Sequence, residues 1–358
     1  MRNTFAALLG GLLLVLVLSC AKKMLPPSPD RFPPQLEDVE TRTRSQVALV
    51  FDEAIDGAKL WPDSFFLIGS AGETLALRGA SIGKKSDEVQ LWTPIQERKL
   101  YQLRGVVRDE AGNPERFRAR FMGSTKRDTI APRVIRVDPG PGTTRQKRAV
   151  TVRVSFSKAI DTASLGSESL GHRPWLFVPV QYDTLFKRSW SSDWQALSFT
   201  RRESLPAGAV VYFLLQPKAA DLEGNRIKAS AFTYFASDTL LDVVPVKGKA
   251  AWPDSITGPG VVFFTESASV RVFTDSLKVT HTESLPVRTT GLAPLLADGS
   301  FSTKLHKGEY EVVAVADTNA DGLADFASVV VKFNTDAESL SLTLQPESLP
   351  KPINAYRR

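Results

Sequence analysis

The sequence predicts an all-β protein built from several β-sandwich domains, and three observations lead to that prediction. Apolar residues alternate with polar ones along most of the chain, which is the period of a half-buried strand. Clusters of Gly, Pro, Asp and Asn interrupt these runs, and helical periodicity is scarce. About 320 residues follow the N-terminal region, whereas one β-sandwich takes roughly 100 residues. We therefore expect three domains.

The N-terminus carries the pattern of an exported protein. Arg2 precedes an uncharged apolar run from Phe5 to Ser19, which is shorter than the roughly 20 residues that span a bilayer. A charged start followed by a short apolar core is typical of a signal peptide, predicted here over residues 1–19. The run ends in Val17-Leu18-Ser19-Cys20, which resembles a bacterial lipobox.

The resemblance implies that Cys20 is lipidated and holds the protein to a membrane. Ala21 follows the cysteine, which favours the outer membrane of the cell envelope. An ordinary signal peptide or an uncleaved N-terminal anchor is the alternative. Residues 20–35 include five prolines and predict an extended tether. Because Cys20 is the only cysteine, the chain forms no internal disulfide and no cysteine-based metal site.

An internal repeat supports two similar domains. Val47 to Asp56 aligns with Val152 to Asp161, and Tyr101 to Asn113 aligns with Tyr212 to Asn225. With the opening stretch Asp128 to Pro139, these motifs resemble the bacterial Ig-like domain of the surface-layer SbsA type. The resemblance implies tandem Ig-like β-sandwiches with a structural or adhesive role and no catalytic residues. Their predicted bounds are 36–128 and 129–238.

A third domain is predicted over residues 239–346. Its stretch Asp298-Gly299-Ser300-Phe301, followed by Leu305 and Gly308-Glu309-Tyr310, resembles the carboxypeptidase-regulatory-like or transthyretin-like β-sandwich. That resemblance implies a stalk or accessory module. The turn at Asp298-Gly299 requires a positive φ at the glycine. Residues 347–358 are predicted to be a polar tail.

Residues 317 to 325, DTNADGLAD, lie between two predicted strands of the third domain and are spaced like calcium ligands. Helices do not flank this loop, and Ser328 stands where an EF-hand has its bidentate glutamate, so a true EF-hand is excluded. The predicted calcium ligands are Asp317, Asn319, Asp321 and Asp325. A plain Asp/Gly-rich turn is the alternative.

Three tryptophans lie in or beside the long segment 162–195 of the second repeat. Exposed Trp175, Trp190 and Trp194 would present flat rings on which sugars stack. Packing of these rings in the core under a long insertion is the alternative.

Basic residues bunch between Arg116 and Arg153, in a chain of formal net charge +6. Such a stretch suits lipid phosphates or an acidic glycan. Alternate outward positions of strands are the competing interpretation.

No motif indicates catalysis. The three histidines show no metal-ligand spacing, and no nucleophile elbow or phosphate loop occurs. A carboxylate pair of the glycosidase kind stays open, because such acids need only be close in space. We predict a non-catalytic, lipid-anchored cell-envelope protein with a structural, adhesive or scaffold role. Envelope proteins or glycans are the expected partners, and nucleic acid is not. The alternative is a carbohydrate-binding or carbohydrate-acting surface protein.

Overall fold

A computed structural model describes residues 30–358, apart from the short segments 147–148, 167–173, 180–181, 183–184, 240, 254–256, 267–268, 275–279, 286–287, 320, 322, 349–350, 352 and 357–358. Strands and their connections make up nearly all of this part, with a few single 3-10 turns, which confirms the predicted all-β class. In the described part of the chain, no helix has the length and apolar character needed to cross a membrane. The signal peptide, Cys20 and most of the tether lie outside the described residues.

Domain 1 is a sandwich of two four-stranded antiparallel sheets, ordered β1-β2-β6-β5 and β4-β3-β7-β8. The alternating pattern of β2 places Val47, Leu49 and Phe51 inward, and each is at most 1% exposed. Its strands are β1 (Leu36–Thr43), β2 (Gln46–Phe51), β3 (Phe65–Ile68), β4 (Thr74–Leu75), β5 (Gly79–Ile82), β6 (Glu88–Trp92), β7 (Leu100–Arg108) and β8 (Pro114–Met122).

Domain 2 repeats the plan with sheets ordered β12-β13-β10-β9 and β11-β14-β15. Val152, Val154 and Phe156 on β10 are buried as their counterparts on β2 are, which bears out the alignment of the two repeats. Its strands are β9 (Val134–Asp138), β10 (Val150–Phe156), β11 (Trp175–Val178), β12 (Lys187–Trp190), β13 (Ala196–Arg201), β14 (Val210–Leu215) and β15 (Ala231–Ala236).

Domain 3 is a ring of paired strands. Its pairings run β17-β20-β21-β16-β25-β23-β22, and β22 closes the ring on β17; β24 pairs with β22, and β18 pairs with β19 as a hairpin. Among the strand pairs of the described residues of this domain, β16 and β25 run parallel and the others antiparallel. The strands are β16 (Val244–Ala251), β17 (Gly260–Glu266), β18 (Ser269–Thr274), β19 (Thr280–Leu285), β20 (Arg288–Leu295), β21 (Ser300–Leu305), β22 (Glu309–Ala316), β23 (Phe326–Ser328), β24 (Val331–Asn334) and β25 (Leu340–Pro346).

Domain 3 shows the alternation of a half-buried strand in β22 and the positive φ predicted at Gly299. Tyr310, Val312 and Ala314 alternate into the core and are at most 2% exposed. Gly299 has φ of +80° in the turn before β21. There a Cβ would lie 2.1 Å from the carbonyl oxygen of Ala250, so only glycine fits. The more specific transthyretin-like resemblance stays a prediction.

Candidate functional site

The junction of domains 1 and 2 is built around the buried carboxylate of Glu223. This side chain is 2% exposed and stands in the turn between β14 and β15. Its oxygens accept hydrogen bonds from Arg44 Nε and Ser45 Oγ, both at 2.8 Å, in the β1–β2 turn of domain 1. Charge-assisted hydrogen bonds of this kind are short and directional, so they fix the two turns against each other.

A second ionic cluster ties the linker to domain 2. Lys158 Nζ lies 2.7 Å from Asp128 Oδ2 and 2.9 Å from Asp221 Oδ2, and all three side chains are at most 14% exposed. Asn225 completes the cluster by donating from Nδ2 to the carbonyl oxygen of Asp128 at 2.9 Å. Asp128, placed last in domain 1 by the sequence, therefore forms its ion pair with domain 2, while Gln46 Nε2 of domain 1 donates to its Oδ2 at 3.4 Å.

Domain 1 contains the same cluster with one change of charge. Asn113 donates to the carbonyl oxygen of Asp30 at 3.2 Å, as Asn225 does to that of Asp128. Glu53, however, stands where the repeat has Lys158, so that carboxylate oxygens of Asp30, Glu53 and Asp109 lie within 4.8 Å of one another. Burial, and then the negative charges of its neighbours, raise the pKa of Glu53.

The hairpins that carry these clusters each turn at a glycine that is followed by an asparagine. Gly112 and Gly224 have φ of +95° and +83°. Each following asparagine is held by the aspartate four residues before it, with Asn113 N donating to Asp109 Oδ1 at 2.7 Å and Asn225 N to Asp221 Oδ1 at 2.9 Å. The turns therefore act as structural units, as expected for Asx-type loops.

The three tryptophans considered for sugar binding pack inside the protein to different degrees. Trp175 is 3% exposed, and the Arg188 guanidinium lies 5.0 Å from its ring centroid. Trp190 is half-buried beside Phe156, with ring centroids 6.2 Å apart. Trp194 is also half-buried, and its ring faces Gly79 of domain 1. These positions favour the core-packing interpretation over stacking with sugars.

The aspartate-rich loop connects β22 to β23 as a hairpin, as predicted. Its carboxylates accept hydrogen bonds from the loop itself: Asp321 N donates to Asp317 Oδ1 at 3.0 Å, and Thr318 N donates to Asp325 Oδ2 at 2.7 Å. Asn319 Nδ2 donates to Asp321 Oδ2 at 3.1 Å. These oxygen donors are of the type that calcium prefers.

The same loop also contacts domain 2. Lys218 Nζ lies 3.7 Å from Asp317 Oδ2, and Arg226 donates to the carbonyl oxygen of Asn319 at 3.3 Å. Burial lowers the pKa of Lys218, and the charges of Asp317 and Asp321 oppose that shift. The ammonium group supplies part of the positive charge that a cation would bring to Asp317.

Domains 2 and 3 share one hydrophobic cluster. Leu176, Tyr212 and Leu214, on the outer face of the β11-β14-β15 sheet, pack with domain 3 residues such as Leu292 on β20. The Tyr212 hydroxyl donates to the carbonyl oxygen of Lys304 at 2.6 Å. Both faces of this sheet are therefore covered, which explains the unbroken apolar sequences WLFV and VVYFLL.

Sequence reasoning missed Glu223, Arg44 and Lys158 as junction residues. The signal for Lys158 was present, since the aligned repeats read DEAID and SKAID, with opposite charges at one position. Glu223 gave no such signal, because its counterpart in the first repeat is the uncharged Ala111.

Residues 128–236 match the family model of the bacterial Ig-like domain. None of the curated proteins compared is similar to the chain. The family match covers domain 2 alone, and the two-sheet architecture of domains 1 and 2 is that of Ig-like β-sandwiches.

Solved structures give weaker likenesses. The N-terminal part of the bacterial S-layer protein SbsC is 13% identical, with 57% of this chain and 44% of that chain covered and a TM-score of 0.25. The FN1–FN3 domains of chicken CNTN1 are 15% identical, with 84% and 98% covered and a TM-score of 0.18. The titin Ig tandem A164–A165 is 9% identical, with 58% and 98% covered and a TM-score of 0.21. At these TM-scores the likenesses support no statement about function.

Proposed function

We propose that this protein is a non-catalytic scaffold of the bacterial cell envelope, tethered to the outer membrane through a lipid on Cys20. The observation that carries the proposal is that all three domains are joined by buried contacts. A single hydrophobic cluster runs from domain 2 into domain 3, and the Glu223 carboxylate locks domain 1 to domain 2. Domains that are packed in this way hold a fixed spacing, which is what a scaffold or spacer requires.

The sequence supports the location. The family match is to a domain described as bacterial and Ig-like, and the lipobox-like ending at Cys20 follows a short apolar run. A lipid anchor acts by burial of acyl chains, at about 0.8 kcal/mol per methylene, and leaves the domains free to project from the membrane. Partners of the scaffold would be other envelope proteins or glycans.

Cell fractionation with metabolic labelling by an alkyne fatty acid tests the tether. Wild-type protein should incorporate the label and sediment with outer membranes, whereas Cys20→Ser should lose the label and appear in the soluble fraction. Label on the serine variant, or unlabelled wild-type protein, would contradict lipidation at Cys20. Small-angle scattering tests the scaffold. The radius of gyration of the wild-type protein should not change with salt concentration, since the junctions between its domains are buried.

A carbohydrate site near Trp175 to Trp194 is the alternative function. The burial of Trp175 removes one of its three rings from contact with sugar, so the alternative depends on the two half-buried rings. Glycan-array binding with Trp194→Ala and Trp61→Ala separates the cases, since Trp61 is 56% exposed in domain 1. Binding that Trp194→Ala alone abolishes would support a sugar site in domain 2.

A further inference from the structure

The β7–β8 hairpin of domain 1 presents a row of arginines to solvent. The two strands pair from Leu100 opposite Met122 to Arg108 opposite Pro114, and every second residue points into the core. The alternate positions point outward, and all of them are exposed except Gln102 and Val106, which are half-buried. Five of them are arginines, which we call the basic face: Arg104, Arg108, Arg116, Arg118 and Arg120.

The charges of the basic face are not neutralised within the described structure. No carboxylate there lies within ion-pair distance of Arg104, Arg116, Arg118 or Arg120. None of the outward positions of β7 and β8 is acidic. Arg104 and Arg118 are direct cross-strand partners, and like charges in that position destabilise a sheet. An anion bound over the face would relieve this repulsion.

Exposed apolar side chains accompany the arginines. Phe66 on β3 pairs with Arg104 and is 54% exposed. Leu100 and Met122 form the outward pair at one end of the hairpin and are 48% and 54% exposed. Arginines beside exposed Phe, Leu and Met have the composition of a surface that enters the headgroup region of a membrane. A soluble acidic glycan would use the charges but has no use for the apolar groups.

The described chain begins at the tip of the same hairpin. Asn113, in the β7–β8 turn, donates from Nδ2 to the carbonyl oxygens of Asp30 and Phe32, at 3.2 Å and 3.3 Å. Nine residues separate Cys20 from Asp30, and the ten residue steps between the two reach about 35 Å when fully extended. A nine-residue strand such as β7 is about 30 Å long. A membrane that holds residue 20 is therefore within reach of the whole basic face.

We propose that the basic face docks domain 1 on a bilayer surface rich in anionic phospholipid. The arginines contact lipid phosphates, and Phe66, Leu100 and Met122 enter the boundary between headgroups and acyl chains. The choice of a membrane as the occupant rests partly on the tether proposed above. The docking would fix the direction in which domains 2 and 3 project from the membrane, which a tether alone leaves free.

Vesicle sedimentation tests the docking without the tether. A chain that starts at Ala21 is suitable, because every described residue of the three hydrophobic cores lies between Leu36 and Tyr356. It should bind vesicles of phosphatidylcholine with phosphatidylglycerol, release at high salt, and fail to bind pure phosphatidylcholine. Arg104→Gln/Arg118→Gln should weaken binding about 30-fold, at about fivefold per arginine.

The matched control removes two exposed arginines from domain 2, as Arg153→Gln/Arg202→Gln, and should change binding by less than about twofold. Thermal unfolding of the Arg104/Arg118 double variant should show a Tm no lower than wild type, since the substitution removes repulsion. Equal losses in the two double variants, or no binding to anionic vesicles, would overturn the proposal. Binding to polygalacturonate but not to vesicles would also overturn it, in favour of an acidic glycan.

The full-length chain separates this proposal from the tether. Its N-terminal region should hold it on neutral vesicles, and Arg104→Gln/Arg118→Gln should leave that retention unchanged. If the full-length chain were not retained on neutral vesicles while the shorter chain still bound anionic vesicles, the result would contradict the tether and support the docking of the basic face. If the full-length chain were retained on neutral vesicles while the shorter chain failed to bind anionic vesicles, the result would support the tether and contradict the docking of the basic face.

Discussion

Neutralising the Glu223 carboxylate is expected to uncouple domains 1 and 2. Its side chain is 2% exposed and is held by the Arg44 guanidinium, with Nη2 at 2.7 Å, and by the Ser45 hydroxyl at 2.8 Å. Glu223→Gln keeps the volume of the side chain but removes its charge. One oxygen is then replaced by an NH₂ group that cannot accept a hydrogen bond from either partner.

The magnitude follows from the burial of the pair. Removal of one partner from a buried ion pair costs roughly 3 to 5 kcal/mol. The Arg44 side chain is 28% exposed, so water compensates part of its loss, and we expect Glu223→Gln to cost about 2 kcal/mol. A double-mutant cycle with Arg44→Gln isolates the pair, and its coupling energy should also be about 2 kcal/mol.

Urea unfolding followed by tryptophan fluorescence measures these energies, because Trp194 lies at the same junction against Gly79. Small-angle scattering should show a broader distribution of interatomic distances for Glu223→Gln than for the wild-type protein, because its domains 1 and 2 are no longer held together. Glu97→Gln is the matched control: the Glu97 side chain is 70% exposed and lies 2.8 Å from that of Lys99, which is 46% exposed, so the substitution should change stability by less than about 0.5 kcal/mol. A coupling energy below about 0.5 kcal/mol for Arg44 and Glu223 would refute the buried lock.

Four further predictions concern other contacts of the three domains. Glu53→Lys should stabilise domain 1 by about 1 kcal/mol, since it recreates the lysine–aspartate cluster of domain 2. Thermal unfolding at neutral pH measures this gain, and a loss of stability would contradict the equivalence of the two clusters. Because the pKa of Glu53 is raised above its ordinary 4.5, the folded protein holds this proton more tightly, so the associated stability is lost as pH rises above 4.5. Glu53→Gln should remove that step from a stability–pH profile, and an unchanged profile would exclude Glu53 as its source. Tyr212→Phe removes the 2.6 Å hydrogen bond to the Lys304 carbonyl oxygen and should cost about 1 kcal/mol of stability. Domains 2 and 3 should then separate at a lower urea concentration than in wild type. Unfolding of both domains together at the wild-type midpoint would contradict this prediction. Millimolar calcium should raise the Tm of the wild-type protein, and Asp321→Ala should abolish the rise; no rise in wild type would leave the loop as a turn stabilised by its own hydrogen bonds.

Much of the architecture could be predicted from local patterns. Alternation in sequences such as VALVF and VRVSF indicates strands with one buried face, because side chains of a strand point to opposite sides in turn. The glycines at 112, 224 and 299 mark positions where a positive φ is needed, and the structure has it at each of them. These signals lie within a few residues of each other, so one sequence is sufficient to detect them.

The candidate site was harder to predict, because its residues meet across domain boundaries. Glu223 and Arg44 are separated by 179 residues, and nothing in the turn sequence DLEGN shows which surface it meets. The sequence leaves Trp194 open between a sugar site and core packing, and its ring lies against Gly79 because domain 1 packs there. The outward arginines of β8 were visible in the sequence, but their alignment beside Arg104 and Phe66 depends on the register of three strands.

The sequence by itself determined the all-β class, the repeat of two Ig-like domains, the hairpin turns and the loop of aspartates in the third domain. These features depend on side-chain periodicity and on the φ of single residues, which are local properties. Tertiary structure alone decided that the β11-β14-β15 sheet is covered on both faces, that a buried carboxylate joins domains 1 and 2, and that five arginines share one face of a hairpin. Those outcomes depend on which surfaces meet, and burial and electrostatic energy arise only from that meeting.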